Sequence, residues 1–156
     1  MLATPMKTSE QGVELIKDRE GVRYAAYLDS VGVPTIGVGH TAGVRMGDTC
    51  DDAQAMEWLA DDLKWSEAAV NKVWVDLEQH QFDALVSFVF NVGPGAFANS
   101  TLLRALNNGH YDEVPHQLDR WHIPPEITSR RNGEREQWKG TMFVARVASN
   151  DPSIST

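Results

Sequence analysis

A single cysteine, Cys50, stands in a chain of 156 residues, so no intramolecular disulfide can form and the core has to hold the fold. No apolar run approaches the ~20 residues that span a bilayer, and no stable membrane anchor is expected. No secretory leader is expected either. The first apolar cluster, Val13, Leu15 and Ile16, is broken by Glu14, Lys17, Asp18 and Arg19. Positive charge is scarce: 14 Lys and Arg face 22 Asp and Glu, a net charge of −8, which argues against a nucleic-acid partner. The histidines His40, His80, His110, His116 and His122 show no HxxxH or HExxH spacing, so neither a metal site nor a cofactor is expected. There is no GxSxG elbow, and GVGHTAG lacks the strand–loop–helix setting of a nucleotide loop. Cys50 itself, with no activating His or Asn pattern around it, reads as a small, partly buried hydrophobe at a helix start.

What is present suits one compact domain or two closely packed lobes. Hydrophobic residues make up 42% of the chain, enough for a core, and the five Trp add large buried areas. Charge is uneven along it. Asp48 to Asp62 holds six acids and no Lys or Arg, whereas Arg120 to Arg146 has six Arg or Lys against three Glu. The basic stretch either faces an anionic polymer or is a solvated helix face.

Periodicity and turn chemistry predict an α+β chain that is mostly helical. Thr8 or Ser9 caps a first helix, with Gln11 in reach of a capping box, and Gly21 stops it after Arg19. Glu20 then lies at the negative end of the helix dipole, a placement that favours the protonated form a general acid needs. A β-ribbon follows: Tyr24 to Leu28, the turn Asp29-Ser30-Val31-Gly32, and a return strand from Val33 to His40. On that strand Thr35, Gly37 and Gly39 share one face, so Thr35 is expected to look out over bare backbone, and Pro34 marks an edge or irregular strand. Asp51 to Trp74 reads as one long amphipathic linking helix, and Gln79 to Asn91, apolar nearly all round, as a buried central helix. Gly93-Pro94-Gly95 breaks it. Helices are predicted at 96–106, 111–121 and 128–148, with a loop at Pro124-Pro125 and a disordered tail from Ser149.

Two carboxylates and a hydroxyl beside a glycine-lined surface, Glu20, Asp29 and Thr35, are what acid-catalysed cleavage of a sugar chain requires. The segment that carries them, REGVRYAAYLDSVGVPTIGVGHT, resembles the active-site ribbon of the phage-type lysozymes, glycoside hydrolase family 24, also called endolysins. The likeness continues in QFDALVSFVFNVGPGAF, in NSTLLRALNNGHYDEV and in SRRNGERE, and so covers about Val13 to Trp138. One departure is visible: where the family often has a Gly-Leu step before the arginine pair, this chain reads Pro124-Pro125-Glu126-Ile127-Thr128.

The resemblance implies a two-lobed lysozyme-like fold in a single catalytic domain with no separate wall-binding domain. Its parts would be an N-terminal lobe near 8–50, a linking helix near 51–74 and a helical lobe near 75–148. It implies a muramidase that hydrolyses the β-1,4 bond from N-acetylmuramic acid to N-acetylglucosamine in peptidoglycan, with inversion, and lyses the host. Glu20 would be the acid, and Asp29 with Thr35 would position water. Gly37, Gly39, His40, Phe90, Asn91, Ser100, Thr101 and Arg131 would line the substrate site, with Arg130 or Arg131 anchoring Glu20. Phe90 reads equally well as core, Asn91 as a helix cap and His40 as part of the packing. A holin would give this monomeric, cytoplasmically made protein access to the wall. The competing readings are a lytic transglycosylase and a peptidoglycan-binding virion protein without activity.

Overall fold

The computed structural model describes residues 4–122 and 127–140. Helix α1 spans Glu10–Glu20, and the strands β1 (Arg23–Leu28) and β2 (Pro34–Gly37) form an antiparallel pair. Helices α2 (Asp52–Asn71), α3 (Gln79–Val92), α4 (Pro94–Ala98) and α5 (Thr101–Asn107) follow. A single 3₁₀ turn, Tyr111–Glu113, leads into α6 (Val114–Leu118), and α7 is Thr128–Lys139. The chain divides into two compact units. One is Val13–Trp65; the other joins the residues up to Gly12 to those from Ser66 onward.

In the first unit the core is aliphatic: Leu15 and Ile16 of α1, Ile36 of β2, Val38 just after it, and Ala55, Leu59 and Leu63 of α2 are all buried. The hairpin pairs Leu28 with Pro34 and Tyr27 with Thr35, then slips through a bulge before Arg23 meets Gly37. A segment not foreseen from sequence extends the ribbon: Asp48 accepts from Ala26 N–H at 2.9 Å, and Cys50 N–H donates to Tyr24 at 2.9 Å. The return strand is shorter than expected. It stops at Gly37, because Ile36 and His40 exchange both backbone hydrogen bonds, each 2.9 Å, across a tight turn. Gly37 and Gly39 make that turn possible with φ of +65° and +68°, values that cost a residue with a Cβ.

The second unit is built round α3, whose residues Phe82 to Val89 are all buried and which packs most extensively on α7. Phe97, Leu102, Leu106, Val114, Leu118 and Trp138 complete that core. Residues before α1 are tied to it by polar side chains. The buried carboxylate of Asp83 accepts from the Ser9 hydroxyl and from Ser9 N–H at 3.1 Å, and Asn71 brackets Met6 with bonds of 2.9 and 3.0 Å. Gly12 has to be glycine here, since a Cβ would lie 2.6 Å from the Asp83 carboxyl carbon.

Several expected boundaries move for local reasons. Ser9, not Thr8, caps α1: its Oγ accepts from Gly12 N–H at 3.0 Å, so the third helical residue is Gly12 and no capping box with Gln11 forms. The long helix ends at Asn71, three residues early. Val73 N–H bonds Val70 in a tightened last turn, and Trp74, expected on the apolar face, is 82% exposed with its N–H on the Asn107 side chain. The predicted 96–106 helix is two helices, because Ser100 caps α5 by accepting from Leu103 N–H at 3.0 Å. The 111–121 helix begins as a 3₁₀ turn and ends at Leu118. The last helix stops at Lys139, where Gly140 takes the left-handed conformation. The loop at Pro124-Pro125, the expected continuation to Ala148 and the tail from Ser149 lie outside the described residues.

Candidate active site

Glu20 is the last residue of α1, and Gly21 N–H closes that helix on the Lys17 carbonyl at 2.8 Å. The Glu20 side chain is half-buried, and its carboxylate lies against the turn after β2. A Cβ built on Gly39 would sit 3.9 Å from Glu20 Oε2. Gly39 therefore does what a bare position is expected to do: it leaves room beside the carboxylate. Gly37 does not. Its face is covered by α2, with Ala55 at 3.4 Å and the Trp58 ring at 3.5 Å from where a Cβ would be. The open face expected at Gly37 is closed by this contact. The turn reverses the chain, so Gly37 and Gly39 no longer share a strand face.

Asp29 opens the hairpin turn and holds it. Its Oδ1 accepts from Val31 N–H at 2.9 Å and Val33 N–H at 2.8 Å, and its own N–H donates to the Val33 carbonyl at 3.0 Å. Neither side-chain bond uses Oδ2. Thr35 is buried, 3% exposed, which corrects the expectation that it looks out from an open strand. Its hydroxyl donates to the same Val33 carbonyl at 2.8 Å, so Oγ1 has only acceptor capacity left. Asp29 and Thr35 are thus joined through one carbonyl oxygen.

His40, 7% exposed, is held by two residues that the sequence does not single out. A carboxylate can only accept, so Nδ1–H donates to Asp62 Oδ2, at 2.7 Å. The imidazole stacks on Trp58 with ring centroids 4.6 Å apart and planes 4° from parallel. Trp58 and Asp62 are one helical turn apart on α2, a spacing visible in the sequence, yet Asp62 reads there as one more acid of a solvated run.

The candidates of the helical unit divide in the same way. Arg131 is 1% exposed. Its guanidinium donates to Glu134, to the Asn91 side-chain oxygen and, at 2.8 Å, to the Trp121 carbonyl, and it lies 4.9 Å above the Phe88 ring. Arg131 therefore joins α3 to α7. Ser100 is 4% exposed and is consumed by its cap, donating to the Phe97 carbonyl at 2.7 Å. Both side chains are buried and internally bonded in this structure. Asn91 is exposed beside its bond to Arg131, and Phe90 is half-buried where the rest of that helix face is closed. Thr101 is exposed, with its hydroxyl accepting from Arg104 at 3.0 Å.

The surroundings of Cys50 disfavour the reactive thiolate. Burial first, then the charges of Asp51 and Asp52, push its thiol above the ordinary value, away from the thiolate. Among the described residues no group of three His, Cys, Asp or Glu side chains converges as a metal site would need, and no helix is long and apolar enough to cross a membrane.

The chain is similar to known proteins over most of its length. A family model described as phage lysozyme matches residues 17–134. The endolysin of Salmonella phage P22 is 41% identical over 140 residues, covering 83% of this chain and 96% of that protein. A SAR-endolysin of Escherichia phage Mu is 38% identical over 125 residues, covering 76% and 73%. Among solved structures, a muramidase domain of SpmX from Asticaccaulis excentricus superposes with a TM-score of 0.80 at 39% identity, covering 85% of this chain and 97% of that one. An endolysin from Escherichia coli O157:H7 phage FAHEc1 gives a TM-score of 0.81 at 33% identity, covering 86% and 94%.

Proposed function

The chain belongs to the phage lysozyme family, and from that premise we propose that it is an endolysin, a muramidase that hydrolyses the β-1,4 bond between N-acetylmuramic acid and N-acetylglucosamine in peptidoglycan. The observation that carries this reading is the Glu20 carboxylate set against the bare backbone of Gly39, at the end of a helix, within the stretch the family match covers. Glu20 is the general acid and protonates the glycosidic oxygen. Asp29 divides its labour: Oδ1 holds the turn, and Oδ2 serves the reaction by supporting positive charge at the anomeric carbon and accepting a proton from water. The hydroxyl proton of Thr35 is committed to Val33, so Oγ1 accepts the other proton of that water. A water that donates to both Asp29 and Thr35 directs a lone pair at the sugar, which is the arrangement an inverting hydrolase uses.

Substitution of Glu20 by Gln tests the assignment. Lysis of chloroform-treated Gram-negative cells is expected to fall on the order of 10²–10⁴-fold, the size of a general-acid contribution, with an unchanged circular dichroism spectrum. Unchanged lysis by that variant sinks the assignment. Mass spectrometry of released muropeptides separates hydrolysis from transglycosylation, since anhydro ends are lighter by one water; nuclear magnetic resonance of the first-formed anomer tests inversion. Access to the wall through a holin-made lesion and action as a monomer belong to the same proposal. Expression with and without a holin decides the first: lysis by this chain alone overturns it.

A further inference from the structure

We propose that Asp62 and Trp58 are positioning residues for the general acid, acting through His40 on the turn that carries Gly39. The proposal rests on the assignment of Glu20 made above. Four observations, all within the unit Val13–Trp65, lead to it. The turn from Ile36 to His40 is closed at its ends by two 2.9 Å backbone bonds. Inside it Gly37 and Gly39 both have positive φ, two positions with no side chain of their own to hold the backbone in place. Gly39 is the residue of this turn that faces the Glu20 carboxylate: a Cβ built on it would lie 3.9 Å from Oε2. The turn is gripped by α2: Gly37 rests on Ala55 and Trp58, and His40 is stacked on Trp58 and bonded to Asp62 at 2.7 Å.

Ala55, Trp58 and Asp62 recur every three or four residues and so form one stripe of α2. Glycine has the largest backbone freedom of any residue, and a turn that contains two of them drifts unless its ends are fixed. Aromatic stacking fixes the plane of the imidazole, and the Asp62 bond fixes its rotation about that plane's normal. Together they determine where the His40 backbone sits, hence where Ile36 and Gly39 sit. The consequence is catalytic because an acid has to lie within hydrogen-bond reach of the leaving oxygen, and displacements near 1 Å cost on the order of 10²-fold in rate. Neither Asp62 nor Trp58 touches the reacting atoms in this scheme. Removing either should therefore lower kcat and leave KM alone.

The test compares the full-length wild type, Asp62→Ala and Asp62→Asn on purified peptidoglycan, at a temperature where thermal melts show all of them folded. Asp62→Ala is expected to lose about 10- to 100-fold in kcat with KM within about twofold. Asp62→Asn keeps an oxygen that accepts from Nδ1–H and is expected to recover most of that loss. Leu63→Ala serves as a destabilised control on the same helix, since Leu63 is buried at 1% exposure, and it is expected to keep wild-type kcat while folded. If Asp62→Ala does not fold, Trp58→Leu carries the same expectation, because it removes the ring under His40 and leaves Asp62 in place. Wild-type kcat in Asp62→Ala, an equal kcat loss in Leu63→Ala, or a change confined to KM each overturns the proposal. Should Glu20→Gln stay fully active while Asp62→Ala is impaired, the assignment of Glu20 fails and this inference falls with it; the reverse pattern removes this inference alone.

Discussion

In the helical unit the Glu134 carboxylate is 0% exposed and is enclosed by Arg131 on one oxygen and the Ser87 hydroxyl, at 2.6 Å, on the other. In the hairpin unit Glu20 and Asp29 are half-buried, Glu20 against a glycine and Asp29 with its turn bonds confined to one oxygen. The residue types are the same and the physics differs. A buried carboxylate persists only where donors satisfy it, at Glu134 a guanidinium and a hydroxyl, and once so enclosed it has little capacity left for a substrate. A carboxylate that works on substrate has to remain reachable from outside, as the half-buried pair of the hairpin unit is. Burial separates the structural acid Glu134 from the candidates for chemistry, Glu20 and Asp29.

That contrast can be broken by substitution. The largest effect on stability is expected for Glu134→Ala, which strands the buried Arg131 guanidinium. Unfolding in urea should show a loss of about 3–5 kcal/mol, while lysis per folded molecule in the cold stays at the wild-type level. Intact stability, or lost specific activity without lost stability, would place Glu134 with the chemistry instead. Asp29 should fall between the extremes. Asp29→Ala removes the acceptor of two backbone N–H groups and is expected to cost about 2 kcal/mol, whereas Asp29→Asn keeps an acceptor and should stay within about 0.5 kcal/mol of wild type. Both variants should lose lytic activity on the order of 10²-fold, because neither retains a second carboxylate oxygen. If Asp29→Asn stays active, the proposed division between the two oxygens is wrong. The smallest effect is assigned to Ser100→Ala: about 1 kcal/mol from the lost α5 cap, with KM unchanged. A raised KM at unchanged stability would return Ser100 to the substrate site, where the family resemblance puts it.

Much of this molecule is legible without coordinates. The ends of α1, the Asp29 turn, the edge character of Pro34 and the central helix α3 follow from caps, turn residues and apolar spacing, which are properties of a few consecutive residues. The resemblance of REGVRYAAYLDSVGVPTIGVGHT to phage-type lysozymes named the family that the comparisons then showed. Less legible was how far each strand and helix runs. Trp74 and Val73 fit the apolar period of α2, but Asn71 is drawn to Met6, 65 positions away, and the helix closes before them. The Thr35–Gly37–Gly39 face failed for a similar reason: strand alternation assumes extended backbone, and two glycines with positive φ ended the strand.

The sequence by itself determined the fold class, the family and the positions of Glu20 at a helix end and Asp29 at a turn, because caps, turns and periodic apolar faces act over a few residues. Tertiary structure decided which similar-looking residues are already spent. Arg131 bonds Asn91 across 40 positions, Ser87 reaches Glu134 across 47, and His40 finds Asp62 across 22. It decided as well that α2 covers Gly37 while Gly39 lies beside Glu20. Burial and hydrogen-bond satisfaction are settled by such distant partners, and no local pattern in the chain encodes which partner arrives.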